Sequence, residues 1–465
     1  MRRTRIVATL GPATDPPEVL EGLLAAGVDV VRLNAAHGDT VALEARLRAV
    51  RAMAEHLGRH VGVLVDLPGP KIRVGEMASG TVLVAGAEFV LTSEICVGDA
   101  SHACITYPRL AADLEPNDRV LIDDGSVELE VVEADSSMGR VVTRVILGGP
   151  LTSNKGVNVP GVTLGVDAIT DVDRTALAWA CGTDIDFVGQ SFVRSASDIE
   201  DLRALMTRPI SIVAKIEKHE AVAALDDIVT AADAVMVARG DLGVETAPEQ
   251  VPVIQRRILD AARAKGKPVV IATQMLESMT HAPRPTRAEA SDVANAIFAR
   301  ADAVMLSGET AVGDNPVLVV ETMGRVAKVA EEAIHRRAWD VHGATADIQE
   351  AVSAAVCDLA SDLQLAAIVP VTQSGATALA VARHRPHTRI IAVTPTPEVA
   401  RHLSLVWGVR ALVIEFPVDT DQLLEEACEG IRRTRSVTAG DRIALTAGRS
   451  TRTAGGTDFI LVREV

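Results

Sequence analysis

The stretch SIVAKIEKHEAVAALDDIVTAADAVMVARGD, residues 211–241, decides how this chain folds. It opens on a Val/Ile-rich run ending in Lys215 and Glu217, passes through an Ala/Leu-rich segment of helical composition, and returns to a second apolar run ending in Arg239 and Asp241. Strand, helix and strand in that order make the unit of a parallel sheet covered on both faces. The unit recurs, with runs at TRIVATLG (4–11), VDVVRLN (28–34), VGVLVDL (61–67), DFVGQSF (186–192), SIVAKIE (211–217), AVMVARGD (234–241), PVVIATQ (268–274) and AVMLSGE (303–309). These runs predict an α/β fold built on a (β/α)8 TIM barrel, in which chemistry gathers at the C-terminal ends of the strands. Those ends carry Thr9, Arg32 with Asn34, Asp66, Ser191, Lys215 with Glu217, Arg239 with Asp241, Thr273, and Ser307 with Glu309.

Between the third and fourth runs lies an insertion at 70–162, too long for a simple strand-to-helix connection. Its alternating runs TVLVAGAEFVLTS, HACITY, RVLIDDGSVELEVVE and RVVTRVIL predict a small inserted β domain with DDG (123–125) as a hairpin turn. Both of its ends enter above the barrel mouth, so it can act as a lid that excludes water. The barrel then occupies 1–69 and 163–338. From 339 to 465 the strand pattern restarts as a separate C-terminal α/β domain, with AAIVPVTQSG, RIIAVTP, ALVIEFP, RIALTAG and DFILVREV.

Composition narrows the function. Of 465 residues, 46 are Lys or Arg and 62 are Asp or Glu, a net charge of -16 that disfavours nucleic acid or an anionic membrane as partner. Six Phe, three Trp and one Tyr are too few for a base-stacking platform. The five cysteines lack C-x-x-C spacing, as expected in a reducing compartment. The opening MRRTRIVATLG has too short an apolar run for a signal segment, and no stretch approaches the roughly 20 apolar residues of a membrane helix. A cytoplasmic location is expected.

Lys215 and Glu217, two residues apart on a strand, share one face. Asp241 ends the neighbouring strand, about 4.8 Å away. Two carboxylates roughly 4 Å apart repel by about 4 kcal/mol at an effective dielectric near 20, so a cation is needed between them. Two hard oxygen ligands suit Mg2+, which keeps waters and substrate oxygens, with Mn2+ as an alternative. Gly240 opens a short helix whose N–H groups suit a carboxylate, Thr273 adds a hydroxyl, and Arg32 and Arg73 add forked donors for phosphate oxygens. One metal, one strand lysine and two arginines aimed at one pocket match phosphoryl transfer. No GxxxxGK[ST] or HRD/DFG set is present, which excludes the ordinary nucleotide-fold kinases.

Other features admit plainer readings. Lys155 in NKGVNVPG (154–161) either reaches an anion or is a solvated loop lysine, and His37 in NAAHGD either meets a nucleotide or serves a turn. The TQSGAT turn, with Thr372, Ser374, Gly375 and Thr377, ends a strand where backbone N–H groups can hold a phosphate. Thr286 and Glu289 form a capping-box pattern.

Taken together, RRTRIVATLGPAT, VRLNAAHG, GPKIRVG, NKGVNVPG, AKIEKHEAV, VMVARGDLGVE, ATQMLESM, PTRAEASDVANAI and MLSGETAVGDNP resemble the pyruvate kinase family, in order and over nearly the whole chain. The resemblance implies a barrel, a mobile lid, a C-terminal domain, a homotetramer, and transfer of phosphate from phosphoenolpyruvate to ADP, giving pyruvate and ATP. It implies that Arg32 and Lys215 contact the moving phosphoryl group, that Glu217 and Asp241 hold Mg2+, and that Gly240, Asp241 and Thr273 hold phosphoenolpyruvate. Thr273 would lie near the enolate that is protonated. Asn34, His37, Arg73 and Lys155 resemble the nucleotide contacts. Many members bind K+ through an Asn, a Ser, an Asp and a Thr; this chain keeps Asn34 and Asp66 but has Ala36 and Leu67 at the hydroxyl positions. Lys71 stands where K+-independent members have Lys, so it is expected beside Asp66 in place of K+, and no K+ requirement is expected. Ala376 replaces a basic residue that helps relatives hold a phosphorylated effector, which leaves a weaker or different phosphate effector as the expectation. A Mg2+-dependent lyase or aldolase of a pyruvate-type substrate and a non-catalytic metabolite sensor are the alternative readings.

Overall fold

The computed structural model describes residues 2–36, 40–334, 347–417, 419–448 and 457–465. Strands β1 (Arg5–Thr9), β2 (Val30–Asn34) and β3 (Gly62–Leu67) come first. Next come β4 (Glu88–Thr92), β5 (His102–Cys104), β6 (Arg119–Ile122), β7 (Val127–Asp135), β8 (Arg140–Leu147) and β9 (Val157–Asn158). After these run β10 (Phe187–Gln190), β11 (Ser211–Ile216), β12 (Ala234–Ala238), β13 (Val269–Ala272) and β14 (Ala303–Leu306). The last five are β15 (Ala367–Pro370), β16 (Arg389–Thr394), β17 (Val409–Val413), β18 (Arg442–Ala447) and β19 (Phe459–Glu464).

The eight runs expected as barrel strands form them. They close in the order β1-β14-β13-β12-β11-β10-β3-β2, and every pair is parallel. Val, Ile, Leu, Ala and Met fill both faces of these strands, because one face meets the barrel interior and the other the surrounding helices. The helix Arg287–Phe298 begins with the expected capping box: Thr286 Oγ1 accepts from the Glu289 amide at 3.2 Å and the Glu289 carboxylate accepts from the Thr286 amide at 2.7 Å. Such a cap is worth about 1 kcal/mol.

The insertion has its own core, running from Ile72 to Leu164 around the fully buried Phe89. Its sheet order is β5-β4-β8-β7-β6-β9. The segment at Arg73 and Val74 bridges both edges, to Gly156 beside β9 and to Ile105 beside β5, which rolls the sheet into a small barrel. Of the expected run 81–93 only Glu88–Thr92 is a strand, since Gly86 turns the chain at φ +84. At the β6–β7 hairpin Asp123, Asp124 and Gly125 all take left-handed backbone, at φ 56, 54 and 87. Aspartate and glycine tolerate that region, which other residues avoid.

The C-terminal sheet runs β17-β16-β15-β18-β19, with β19 as an antiparallel edge strand and an apolar cluster on each face. It docks beneath the barrel, at the ends of the strands opposite the mouth. Arg401 pairs with the buried Asp186 at 2.7 Å, Arg385 pairs with Asp302 at 2.9 Å, and the Trp407 ring lies between the guanidinium groups of Arg3 and Arg385 at 5.2 and 4.9 Å. Among the described residues no helix is long and apolar enough to cross a membrane, and the five cysteines are free thiols.

Gly62, at the start of β3, sits at this seam. A Cβ there would meet Ser404 Oγ at 2.6 Å, the Phe187 ring at 2.9 Å and the Arg401 carbonyl at 3.2 Å. Gly62→Ala is therefore expected to destabilise the chain by about 1–3 kcal/mol, the usual cost of overpacking, measured as a lowered urea midpoint.

Candidate active site

At the barrel mouth the C-terminal ends of β2, β3 and β11 bring Arg32, Asp66, Lys215 and Glu217 into contact. The Lys215 ammonium lies 3.2 Å from Asp66 Oδ1 and 2.9 Å from Glu217 Oε1, and it donates to Ser191 Oγ at 2.6 Å. Arg32 Nε donates to Asp66 Oδ2 at 2.6 Å and its Nη1 to Thr9 Oγ1 at 3.2 Å. Asp66 and Glu217 are all but sealed from solvent, with side chains 2% and 1% exposed.

Burial alone would drive each of these groups towards its neutral form. For Lys215 burial opposes the charge, but the Asp66 and Glu217 carboxylates outweigh it and raise the ammonium pKa. Asp66 is likewise opposed by burial and rescued by Lys215 and Arg32, which hold it below its ordinary value. Glu217 goes the other way: burial, with the nearby Asp241 charge adding, raises it despite Lys215.

The loops that hold these groups are shaped by backbone as well as charge. Phe192 takes φ +55 and its amide donates to Glu217 Oε2 at 2.8 Å, while Ser191 Oγ donates to the Leu67 carbonyl at 2.7 Å. Gly189, opposite Asp66 in the β3–β10 register, leaves room for the acid: a Cβ there would lie 3.1 Å from Asp66 Oδ1. After β13, Thr273 and Gln274 both adopt left-handed backbone, at φ 67 and 53, an uncommon conformation for a β-branched threonine. Thr273 Oγ1 accepts from the Gly240 amide at 2.9 Å and donates to the Ala272 carbonyl at 2.7 Å. Arg239 pins this loop through the Thr273 carbonyl at 2.6 Å and is itself held by Asp292 at 2.6 Å.

The remaining candidates are less concentrated. Lys71, expected beside Asp66, lies instead 3.9 Å from Asp241 Oδ1, because Asp66 is already enclosed by Arg32 and Lys215. The Asn34 side-chain oxygen accepts from the Ala36 amide at 3.1 Å, a local turn contact. Arg73 donates to the Asn154 carbonyl at 2.8 Å, and Lys155 pairs with Asp123 at 2.9 Å within the insertion. His37 lies outside the described residues. In the C-terminal turn, Thr372 Oγ1 accepts from the Gly375 amide at 3.0 Å and Thr377 shares a 2.6 Å hydrogen bond with Thr457, both buried, while Ser374 is exposed. Glu309 is fully buried and caps the Leu276 and Ser307 amides at 3.1 and 2.6 Å, a structural duty.

Thr9 and Ser191 stand at the mouth as their strand-end positions predict, and the structure adds their partners, Arg32 and Lys215. The Phe192 amide is not foreshadowed, because a positive φ there has no signature in its residue type.

A divalent cation fits this donor set. Glu217 Oε1 is buried and meets the Lys215 ammonium at 2.9 Å, and burial together with the nearby Asp241 carboxylate raises the Glu217 pKa, so this pair of acids gains from added positive charge; no group of three or more His, Cys, Asp or Glu suited to a metal occurs among the described residues. Two carboxylates with room for water and substrate oxygens suit Mg2+ better than a metal that needs a full protein cage.

Comparison with known proteins bears on the family and the fold. Residues 1–320 match the family description "Pyruvate kinase, barrel domain" and residues 350–463 match "Pyruvate kinase, alpha/beta domain". The chain is 43% identical to pyruvate kinase 2 of Synechocystis, covering 100% of this chain and 79% of that protein. It is 43% identical to the Geobacillus stearothermophilus pyruvate kinase, covering 100% and 80%. It is 42% identical to that of Methylorubrum extorquens, covering 99% and 97%. A solved pyruvate kinase from Cryptosporidium parvum superposes with a TM-score of 0.92 at 32% identity, covering 100% of this chain and 96% of that one.

The Asp66 cluster yields a pH test. Because its folded pKa lies below the ordinary 3.8, its contribution is fully present above that value and is lost as pH falls through the folded value. Asp66→Asn, which leaves Arg32 without its buried partner, is expected to cost about 3–5 kcal/mol at pH 7, with the gap to wild type narrowing in urea titrations taken below about pH 4.

Proposed function

The chain belongs to the pyruvate kinase family, and from that premise we propose the roles its residues take in moving the phosphoryl group of phosphoenolpyruvate to ADP. The enzyme is a phosphotransferase that forms pyruvate and ATP. The observation that carries the assignment of roles is the Lys215 ammonium, kept charged between Asp66 and Glu217 at the barrel mouth.

Phosphoryl transfer spreads negative charge over three oxygens in a loose transition state, so the protein's work is positioning and neutralisation. Lys215 supplies a fixed positive charge for those oxygens. Arg32, aligned by Asp66 and Thr9, presents its planar guanidinium to the same group. The Asp241 amide, and the Gly240 amide once it is released from Thr273 Oγ1, hold the substrate carboxylate, and the Thr273 hydroxyl is assigned to the enolate side, where the proton is delivered. Glu217 and Asp241 would hold Mg2+, or Mn2+ in its place. When bound, the ion would supply positive charge that offsets the negative charge developing on the substrate oxygens. Asn34, Arg73, Lys155 and His37 serve the nucleotide.

The chain divides into a barrel of 1–69 and 163–338, a lid of 70–162 and a C-terminal domain from 339 to 465. It works as a homotetramer in the cytoplasm, and the Thr372–Thr377 turn takes a phosphorylated effector, through Ser374 first since its two threonines are engaged internally. Full-length matches to proteins named pyruvate kinase leave the lyase and sensor readings without support.

Lys71 replaces the monovalent ion. Ala36 and Leu67 bring no hydroxyl to that site, and the Lys71 ammonium stands at the mouth beside Asp241, where a tethered cation can act on the same substrate oxygens. Turnover of phosphoenolpyruvate and ADP is therefore expected to be unchanged when choline replaces K+ in the assay; a strict K+ requirement would refute this role. Lys215→Met is expected to lower kcat by on the order of 100-fold or more, with its circular dichroism unaltered.

A further inference from the structure

The insertion touches the barrel through a buried acid outside the catalytic cluster. Glu245 ends the helix Arg239–Glu245, whose first turn carries Gly240 and Asp241. Its side chain is fully buried, and its Oε1 accepts from two donors: Lys218 Nζ at 2.7 Å and Nδ2 of Asn158, in β9 of the insertion, at 2.9 Å. Its Oε2 is buried without a hydrogen-bond partner, with His219 Nδ1 3.9 Å away. The Lys218 ammonium also lies 5.9 Å from the centre of the Phe192 ring, and the Phe192 amide orients Glu217.

These groups flank a narrow crevice of about 30 Å³ between insertion and barrel, lined by Pro70, Lys71, Asn158, Phe192, Lys218 and neighbouring residues. Asn158 follows Lys155 by three positions, and Gly156 between them bridges Arg73. A neutral amide, three residues beyond Lys155, thus ties the insertion to the helix carrying Gly240 and Asp241. A neutral donor suits a contact that must break and re-form. Glu245 keeps its charge partner Lys218 when Asn158 leaves, so opening exposes no unpaired buried carboxylate.

We propose that Asn158, with Glu245 and Lys218 as its receiver, is a latch that sets how often the lid is closed over the barrel mouth, and that it thereby positions Lys155 and Arg73 for the nucleotide. The proposal rests on the nucleotide role given to those two residues above. Asn158 touches no substrate; it is a positioning residue.

The test compares Asn158→Ala, Asn158→Asp and Asn158→Gln in the full chain. Loss of the hydrogen bond to the buried carboxylate is expected to raise the KM for ADP about tenfold in Asn158→Ala, with the KM for phosphoenolpyruvate little changed. Asn158→Asp, which sets an acid against Glu245, is expected to be worse, and Asn158→Gln, which keeps the amide donor, to recover part of the loss. Hydrogen exchange in barrel peptides across 190–194 and 242–247 should quicken in the same order, a readout that needs no turnover and so separates failure of the latch from failure of the functional reading. Unchanged ADP KM and exchange in both Ala and Asp variants would overturn the proposal. So would kinetic losses that merely follow a fall in melting temperature, since those indicate general packing.

Discussion

One ammonium organises the mouth of this barrel. The Lys215 side chain is only 11% exposed, and the carboxylates of Asp66 and Glu217 outweigh the cost of burying its charge. The reverse holds equally, for without Lys215 two acids would face each other in a poorly solvated pocket. Arg32 draws its orientation from the second oxygen of Asp66, and Glu217 draws its own from the Phe192 amide. Positive and negative groups are thus fixed before any substrate arrives. Such prearranged charge is what a reaction with little covalent work for the protein requires.

The barrel, the insertion and the C-terminal sheet bury their apolar residues in different ways. The barrel core is continuous around the closed sheet, and the insertion has a separate core centred on Phe89, joined to the barrel by two covalent crossings and a few polar contacts. The insertion is thus not fused to the barrel through a shared apolar cluster. The C-terminal domain is held differently. Arg385, Arg401 and Trp407 bind it to the barrel floor through buried carboxylates and stacked guanidinium groups, an attachment that resists sliding.

The barrel was legible in the sequence because each strand is buried on both faces and ends on a polar residue, a pattern that composition alone displays. Arg32, Asp66, Lys215 and Glu217 were legible as strand ends for the same reason. The strand β9 was not, since it has two residues and no periodicity, and its existence depends on pairing with β6. The partner of Lys71 was not legible either. Sequence order places Lys71 five residues from Asp66, but Asp66 is saturated by groups from β2 and β11, so the lysine turns to Asp241. Pairings of that kind are decided by competition among side chains that meet only after the barrel closes. The left-handed backbone at Phe192 and Thr273 is likewise imposed by surroundings rather than by residue type.

Gly189 carries a further implication for how this chain can change over time. Asp66 is clamped by Arg32 and Lys215 and cannot yield the few tenths of an ångström that a methyl group on its neighbour would need. Positions 66 and 189 are consequently not independent variables. A side chain can enter at 189 only if the acid at 66 is first shortened or released, and releasing it unsettles the lysine that the chemistry needs. Substitutions at the two sites should combine non-additively. Along this edge of the barrel the freedom of one residue to mutate is set by the charge of another.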